Sequence, residues 1–138
     1  MTIKLKSFVL ILTMFFMNSL FAQNEVSTSN LHPKTIQFAN EVFQDVTEYQ
    51  TPEHLANYSN FINQVTVQEV GALAANYETL QNVGLKNKYN PNLTFDQAGF
   101  DVLNFNPLKY HFNFYDTHVQ KYRIGTTNYI VIINPASN

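Results

Sequence analysis

No cysteine occurs anywhere in the 138 residues. No disulfide can therefore staple the fold, and no lipid can be attached through a cysteine thiol, so stability has to come from packing. Glycine is scarce, at four residues, and none of the four sits in a phosphate-cradling run, which argues against nucleotide binding. Charge is scarce as well: Asp, Glu, Lys and Arg make up 13% of the chain. The basic residues beyond the first few positions are Lys34, Lys86, Lys88, Lys109, Lys121 and Arg123, spread along the chain. Nucleic-acid binding needs clustered positive charge to displace counterions from phosphates, and a membrane-surface helix needs a basic face, so neither nucleic acid nor a lipid surface is an expected partner. Tryptophan is absent, yet twelve Phe and eight Tyr make the chain strongly aromatic, and large rings supply the buried area that disulfides would otherwise have to replace.

Residues 1–22 read as a secretory signal peptide. Lys4 and Lys6 give a positively charged start, an apolar run over residues 8–16 is interrupted only by Thr13, and Asn18, Ser19 and the small Ala22 lead to a cleavage point before Gln23. The apolar run is shorter than the ~20 residues that a membrane-spanning helix needs. The expected protein is thus exported, periplasmic or extracellular, with no membrane insertion after cleavage. Loss of Lys4 and Lys6 leaves the ten acidic residues in excess of the remaining basic ones. Residues 23–30 (QNEVSTSN) have no apolar period and read as a disordered lead-in, followed by one domain over residues 31–135.

His32 and Pro33 fit an N-cap and first helical position, with Leu31 and Ile36 at the two positions of a hydrophobic staple. Ile36, Ala39, Val42, Phe43, Val46 and Tyr49 then recur at helical spacing, which predicts an amphipathic helix of about four turns. Thr51, Pro52 and Glu53 open a second helix with the stripe Leu55, Tyr58, Phe61, Ile62 and Val65. The period changes to alternation near Asn63, so residues 64–70 read as a first strand ended by Gly71. Residues 72–93 read mostly as loop, and Phe95, Phe100 and Phe105 as anchors of the following stretch. Leu108, Tyr110, Phe112 and Phe114 alternate with Lys109, His111, Asn113 and Tyr115, which predicts a half-buried strand. Residues 119–124 and 129–133 complete an antiparallel meander. The last of these, YIVII, is apolar without alternation. That is the pattern of a central strand; on an edge it would be open to pairing with a partner. The expected class is α+β: two N-terminal amphipathic helices packed on a small antiparallel sheet that ends in the C-terminal meander.

NKYNPNL at residues 87–93, FNPLKY at 105–110 and YRIGTTNYIVIINP at 122–135 resemble the C-terminal region of short exported proteins of Gram-negative bacteria. The resemblance covers roughly residues 80–135 and implies a domain that ends at the meander. It carries no activity and no site residues to this chain.

Candidate sites are few. His111, Asp116 and His118 could converge on one ion across a hairpin, since imidazole and carboxylate suit zinc; this would make a small metal-dependent hydrolase. Their spacing matches no standard metal signature, and the bland alternative is solvent-facing histidines on a strand and in a turn. No serine lies in G-x-S-x-G, the motifs imply no cofactor, and a carboxylate pair cannot be picked from sequence alone. Tyr115, Tyr122 and Tyr129 are candidate binding rings for carbohydrate, with asparagine amides as hydrogen-bond partners; packing is the competing use of each. The leading expectation is a non-enzymatic domain whose partner is another envelope or secreted protein.

Overall fold

The computed structural model describes residues 30–136. The signal peptide and, apart from Asn30, the lead-in therefore lie outside the described residues. The domain mixes helix and sheet: helices α1 (Thr35–Phe43), α2 (Pro52–Asn63) and the single-turn α3 (Leu80–Val83), with strands β1 (Val65–Glu69), β2 (Glu78–Thr79), β3 (Gln120–Arg123) and β4 (Tyr129–Ile133). Among the described residues no helix is long and apolar enough to cross a membrane.

The start of α2 follows local chemistry. Thr51 caps it by accepting the His54 N–H (3.4 Å), Pro52 takes the first turn, and Glu53 sits at the positive end of the helix dipole. Helix α1 departs from its apolar pattern. His32 is not its cap: the His32 N–H donates to Ser59 Oγ (2.6 Å) and its ring nitrogen accepts the Lys34 N–H (3.2 Å), so the chain makes a turn before helix begins at Thr35. The stripe is rotated accordingly, with Phe38 buried and Ile36 left 53% exposed, which removes the expected staple. The expected four turns also stop early. Gln44 takes a φ of 51°, and Gln50 closes the helix end by donating to Gln44 O (2.6 Å) and Asn40 Oδ1 (2.8 Å). The chain doubles back so that Tyr49 stacks on Phe43 (ring centroids 4.7 Å apart), and Thr47–Gln50 form a 3-10 turn. Ring packing overrides helix propensity at this point.

The sheet order is β1-β4-β3-β2. β4 pairs antiparallel with both neighbours, with Val67 and Tyr122 opposite Val131, so the apolar YIVII strand is central. Two expectations fail. The sheet is mixed, because β2 runs parallel to β3. Residues 108–115 make no strand: Pro107–Lys109 is a 3-10 turn, and Tyr110 has a single bridge to Leu85. The alternation nonetheless sets burial, with Tyr110, Phe112 and Phe114 inside and His111, Asn113 and Tyr115 outside. The segment bonds to Gly84 and Lys86 at its start and turns at Phe114–Tyr115, where Asp116 N–H donates to Asn113 O (3.2 Å), and its rings join Phe105, Leu80, Ile124, Val131 and Ile133 in the main core. A second core gathers Phe38, Ala39, Val42, Phe43, Tyr58 and Ile62 between the helices, and Leu108 belongs to it.

FNPLKY joins the two cores, and its polar member makes the joint specific. Asn106 is 1% exposed. Its oxygen accepts the Leu108 N–H (2.9 Å), and its nitrogen donates to Phe38 O (3.0 Å) and Glu41 Oε2 (2.9 Å). Asn90 makes a similar arrangement at the surface, accepting from Asn92 N–H (3.1 Å) and donating to Glu41 O (2.7 Å). Removing a buried amide strands the groups it satisfied, whereas water replaces an exposed one. Asn106→Ala is therefore expected to cost about 3 kcal/mol and Asn90→Ala about 1 kcal/mol or less. Urea unfolding of the two variants checks this, and equal costs would contradict the joint described here.

Candidate functional site

The three candidate metal ligands do not form a cluster. Asp116 and His118 pair with each other, Oδ1 to Nδ1 at 3.2 Å, in an exposed turn where the imidazole is 88% exposed. The His118 N–H also donates to that carboxylate oxygen (2.9 Å), and these bonds hold the Asp116 carboxyl below its ordinary range. His111 instead faces Gly84 and lines a different cavity, of about 240 Å³, with Phe43, Leu85, Lys86, Asn87, Lys88 and Tyr89. The hairpin that was to join the three is absent because residues 111–115 have no ladder partner. Among the described residues no group of three or more His, Asp or Glu side chains is placed to hold a metal ion.

The three tyrosines also separate. Tyr122, on β3, stacks on Phe112 (5.7 Å) and donates to Gln120 Oε1 (3.3 Å), so it serves the main core. Tyr129, on β4, sets its ring edge to Phe100 (5.5 Å) and donates to Glu69 Oε2 (3.3 Å). Tyr115 alone stands out, 80% exposed, with its ring at right angles to Phe61 (5.5 Å).

A feature the sequence did not disclose lies along β1. In its ladder with β4, Gln64 O accepts Asn134 N–H and the Val70 N–H donates to Asn128 O, both at 2.9 Å. By the alternation of antiparallel bonding, Thr66 and Gln68 also turn their backbone groups toward β4. Val65, Val67 and Glu69 then direct theirs away from the sheet, and no strand among the described residues covers that edge. Beside it opens a groove of about 450 Å³ with walls that include Phe38, Ile62, Val65, Val67, Leu103 and Phe105.

Lys34 and His32 stand on the same groove. Lys34 Nζ donates to Leu103 O and to Asn104 Oδ1 (2.7 Å), which ties the Val102–Asn104 turn to the start of α1. Asp101 fixes that turn from the other side by accepting the Leu103 N–H (2.9 Å). Leu103 is thereby held 79% exposed at the rim. Burial, and then the neighbouring Lys34 charge, lower the His32 pKa, so the imidazole is neutral at pH 7 and Lys34 is the cation of this rim.

On the other side of α1, Phe43, Tyr49, Tyr58 and Tyr89 form a ring cluster in which the Tyr49 and Tyr89 hydroxyls bond at 2.7 Å. The Tyr49 bond and then Lys88 lower the Tyr89 pKa, whereas burial, followed by Tyr49, pushes the Tyr58 hydroxyl up to about 12 from 10.0. The folded protein holds the Tyr58 proton more tightly than the unfolded chain does. Its contribution to stability is complete below pH 10 and is lost as pH rises through about 12. Tyr110, raised mainly by burial, acts in the same direction. Tyr58→Phe keeps the ring and removes the titration, so its thermal midpoint should fall less steeply than that of the parent between pH 10 and about 12. Parallel curves would exclude Tyr58 as a source of the alkaline instability.

Comparison with protein-family models, with curated proteins and with solved structures returned no match, so the free β1 edge and its groove have to be interpreted from their own chemistry.

Proposed function

We propose that the protein is an exported binding domain, with no catalysis of its own, that takes an extended segment of a partner protein onto the outer edge of β1. The observation that carries this is the pairing of an uncovered strand edge with an apolar groove on the same side of the domain. Backbone donors and acceptors at Val65, Val67 and Glu69 have the spacing that a further strand would satisfy, and main-chain bonds of this kind supply affinity in strand addition. The side chains of Val65 and Val67 line the groove, so alternate residues of an added strand would meet its apolar walls.

The arrangement takes the two N-terminal helices as a layer laid on the sheet. Phe38 of α1 and Ile62 of α2 then form the wall opposite Val65 and Val67. Lys34 marks the groove, and Glu69 closes β1 outside it. The fitting occupant is an extended segment with apolar side chains at alternate positions, a carboxylate at the end that meets Lys34, and a cation or amide at the end that meets Glu69. With residues 1–22 taken as an export signal, such a partner belongs to the envelope or the secreted proteins.

Selection of a displayed library of random dodecapeptides against the purified protein tests this. The enriched peptides should alternate apolar residues with the stated charge polarity. Val67→Pro deletes an outward N–H and leaves the β4 ladder intact, and Leu103→Glu places a charge on the rim. Each should weaken peptide binding about tenfold or more, whereas Glu78→Ala on the opposite edge should not. Peptides without alternation, or affinities indifferent to both variants, would overturn the reading. Concentration-dependent dimerisation abolished by Val67→Pro would replace the partner segment with a second copy of the chain.

A further inference from the structure

Where the end of α2 meets the end of β4, Asn60, Asn63, Gln64, Asn134, Pro135 and Ala136 line a cavity of about 440 Å³. This lies within the roughly 300–1,000 Å³ typical of small-molecule sites. Its walls carry four carboxamides and no charged side chain. Two of the four are partly engaged. With its nitrogen turned to the neighbouring carbonyls, the Gln64 amide donates to Asn134 O and Phe114 O, each at 3.0 Å, and the Asn134 amide donates to Gln64 O (3.3 Å). The side chains of Asn60 and Asn63 bond to no other described residue, and both residues are exposed.

We propose that this cavity binds a neutral sugar unit, independently of the β1 edge. A carboxamide offers a donor and an acceptor side by side, which matches a hydroxyl that both donates and accepts; Asn60, Asn63 and Asn134 keep both kinds of group and Gln64 keeps its oxygen, so this uncharged wall suits a polyol and gives little hold on an ion. The second observation is Tyr115. The Phe114 carbonyl that receives the Gln64 amide immediately precedes it, so its backbone adjoins the amide wall, while the ring itself lies outside the residues that line the cavity. Its packing on Phe61, the neighbour of Asn60 in α2, fixes the ring by an edge-to-face contact while 80% of the residue stays in solvent. A held ring with a solvent-facing surface is a platform for the C–H face of a pyranose, and the amides then read the hydroxyl edge of the same unit. Tyr122 and Tyr129 play no part, since both rings are committed to Phe112 and Phe100.

Titration of the purified, nitrogen-15-labelled protein with cellotriose and, separately, with chitotriose tests the site. The side-chain amide signals of Asn60, Asn63 and Asn134 are expected to shift saturably with at least one sugar. Asn63→Ala and Tyr115→Ala, both at exposed positions that leave the fold intact, should each weaken that binding about tenfold. Binding should be unchanged in Val67→Pro, which separates this site from the β1 edge. Absence of a saturable shift up to about 20 mM of both sugars, or unchanged affinity in both cavity variants, would overturn the proposal.

Discussion

The Asn106 carboxamide sits 1% exposed between the two apolar clusters, and all three of its hydrogen bonds are made to protein. In such a place an unmade bond costs about 1–3 kcal/mol, so the amide admits one orientation of the segment that carries it. Phe105 and Tyr110 then fall into the sheet-side core and Leu108 into the helix-side core. An apolar residue at this position would pack in several ways and specify none. Proline at the next position assists, because it fixes φ and has no N–H, leaving the asparagine oxygen to take the N–H one residue further on. Asn90–Pro91 repeats the device against the same turn of α1, through the Glu41 carbonyl. Helix α1 is thus gripped from two points of the long connection by one kind of short motif.

The absence of cysteine gives these polar contacts their weight. Between α3 and β3 the chain runs with little regular structure and has to be fastened by side chains. Asp96 accepts the Tyr110 hydroxyl (2.7 Å) and pairs with Lys109 (2.9 Å), while its own N–H donates to the Tyr110 oxygen (3.0 Å). The Lys109 ammonium also lies 5.5 Å from the centre of the Tyr110 ring. A pair this buried adds little net stability over an apolar replacement, yet leaving either charge alone would be costly, so it selects one arrangement of the loop. The β3–β4 turn closes over the same place. Gly125 has a φ of +54°, which a side chain would strain, and a Cβ there would come within 3.1 Å of the Asp96 carbonyl and push turn and loop apart by a few tenths of an ångström.

Features set by local chemistry were legible in the sequence, and features set by strand order were not. The Thr51–Pro52 start of α2 and the central place of the YIVII strand follow from capping and from an unbroken apolar run. Residues 110–115 show the boundary. Alternation reported which side chains go inward, even past the turn at Phe114–Tyr115, but it carries no information about a hydrogen-bonding neighbour. Lys109 breaks even that pattern, being buried against Asp96, a partner thirteen positions away that periodicity cannot point to. In α1 the exchange of Ile36 for Phe38 follows from the His32 bond to Ser59, a contact across 27 positions. β2 and α3 are too short to register any period. For the site, the closeness of His111, Asp116 and His118 in sequence did not become closeness of three ligands, and the groove along β1 draws on residues from 32 to 107.

An uncovered edge is a hazard that natural proteins have strong reason to remove. This domain removes it where the hazard is greatest. The apolar β4 is enclosed between β1 and β3, and the opposite edge, β2, is only two residues long. β1 is treated differently: five residues, no proline, no bulge in its register with β4, and outward Thr66 and Gln68 that keep its far face polar. Under the proposed reading, a strand left regular and pairing-competent beside an apolar groove is kept so for pairing. If strands are added there, the main-chain bonds would be the same for every sequence and could not discriminate between partners. Selection would then fall on the groove walls, above all on Leu103, whose exposure is set by the Lys34 and Asp101 bonds to its turn and not by any packing of its own.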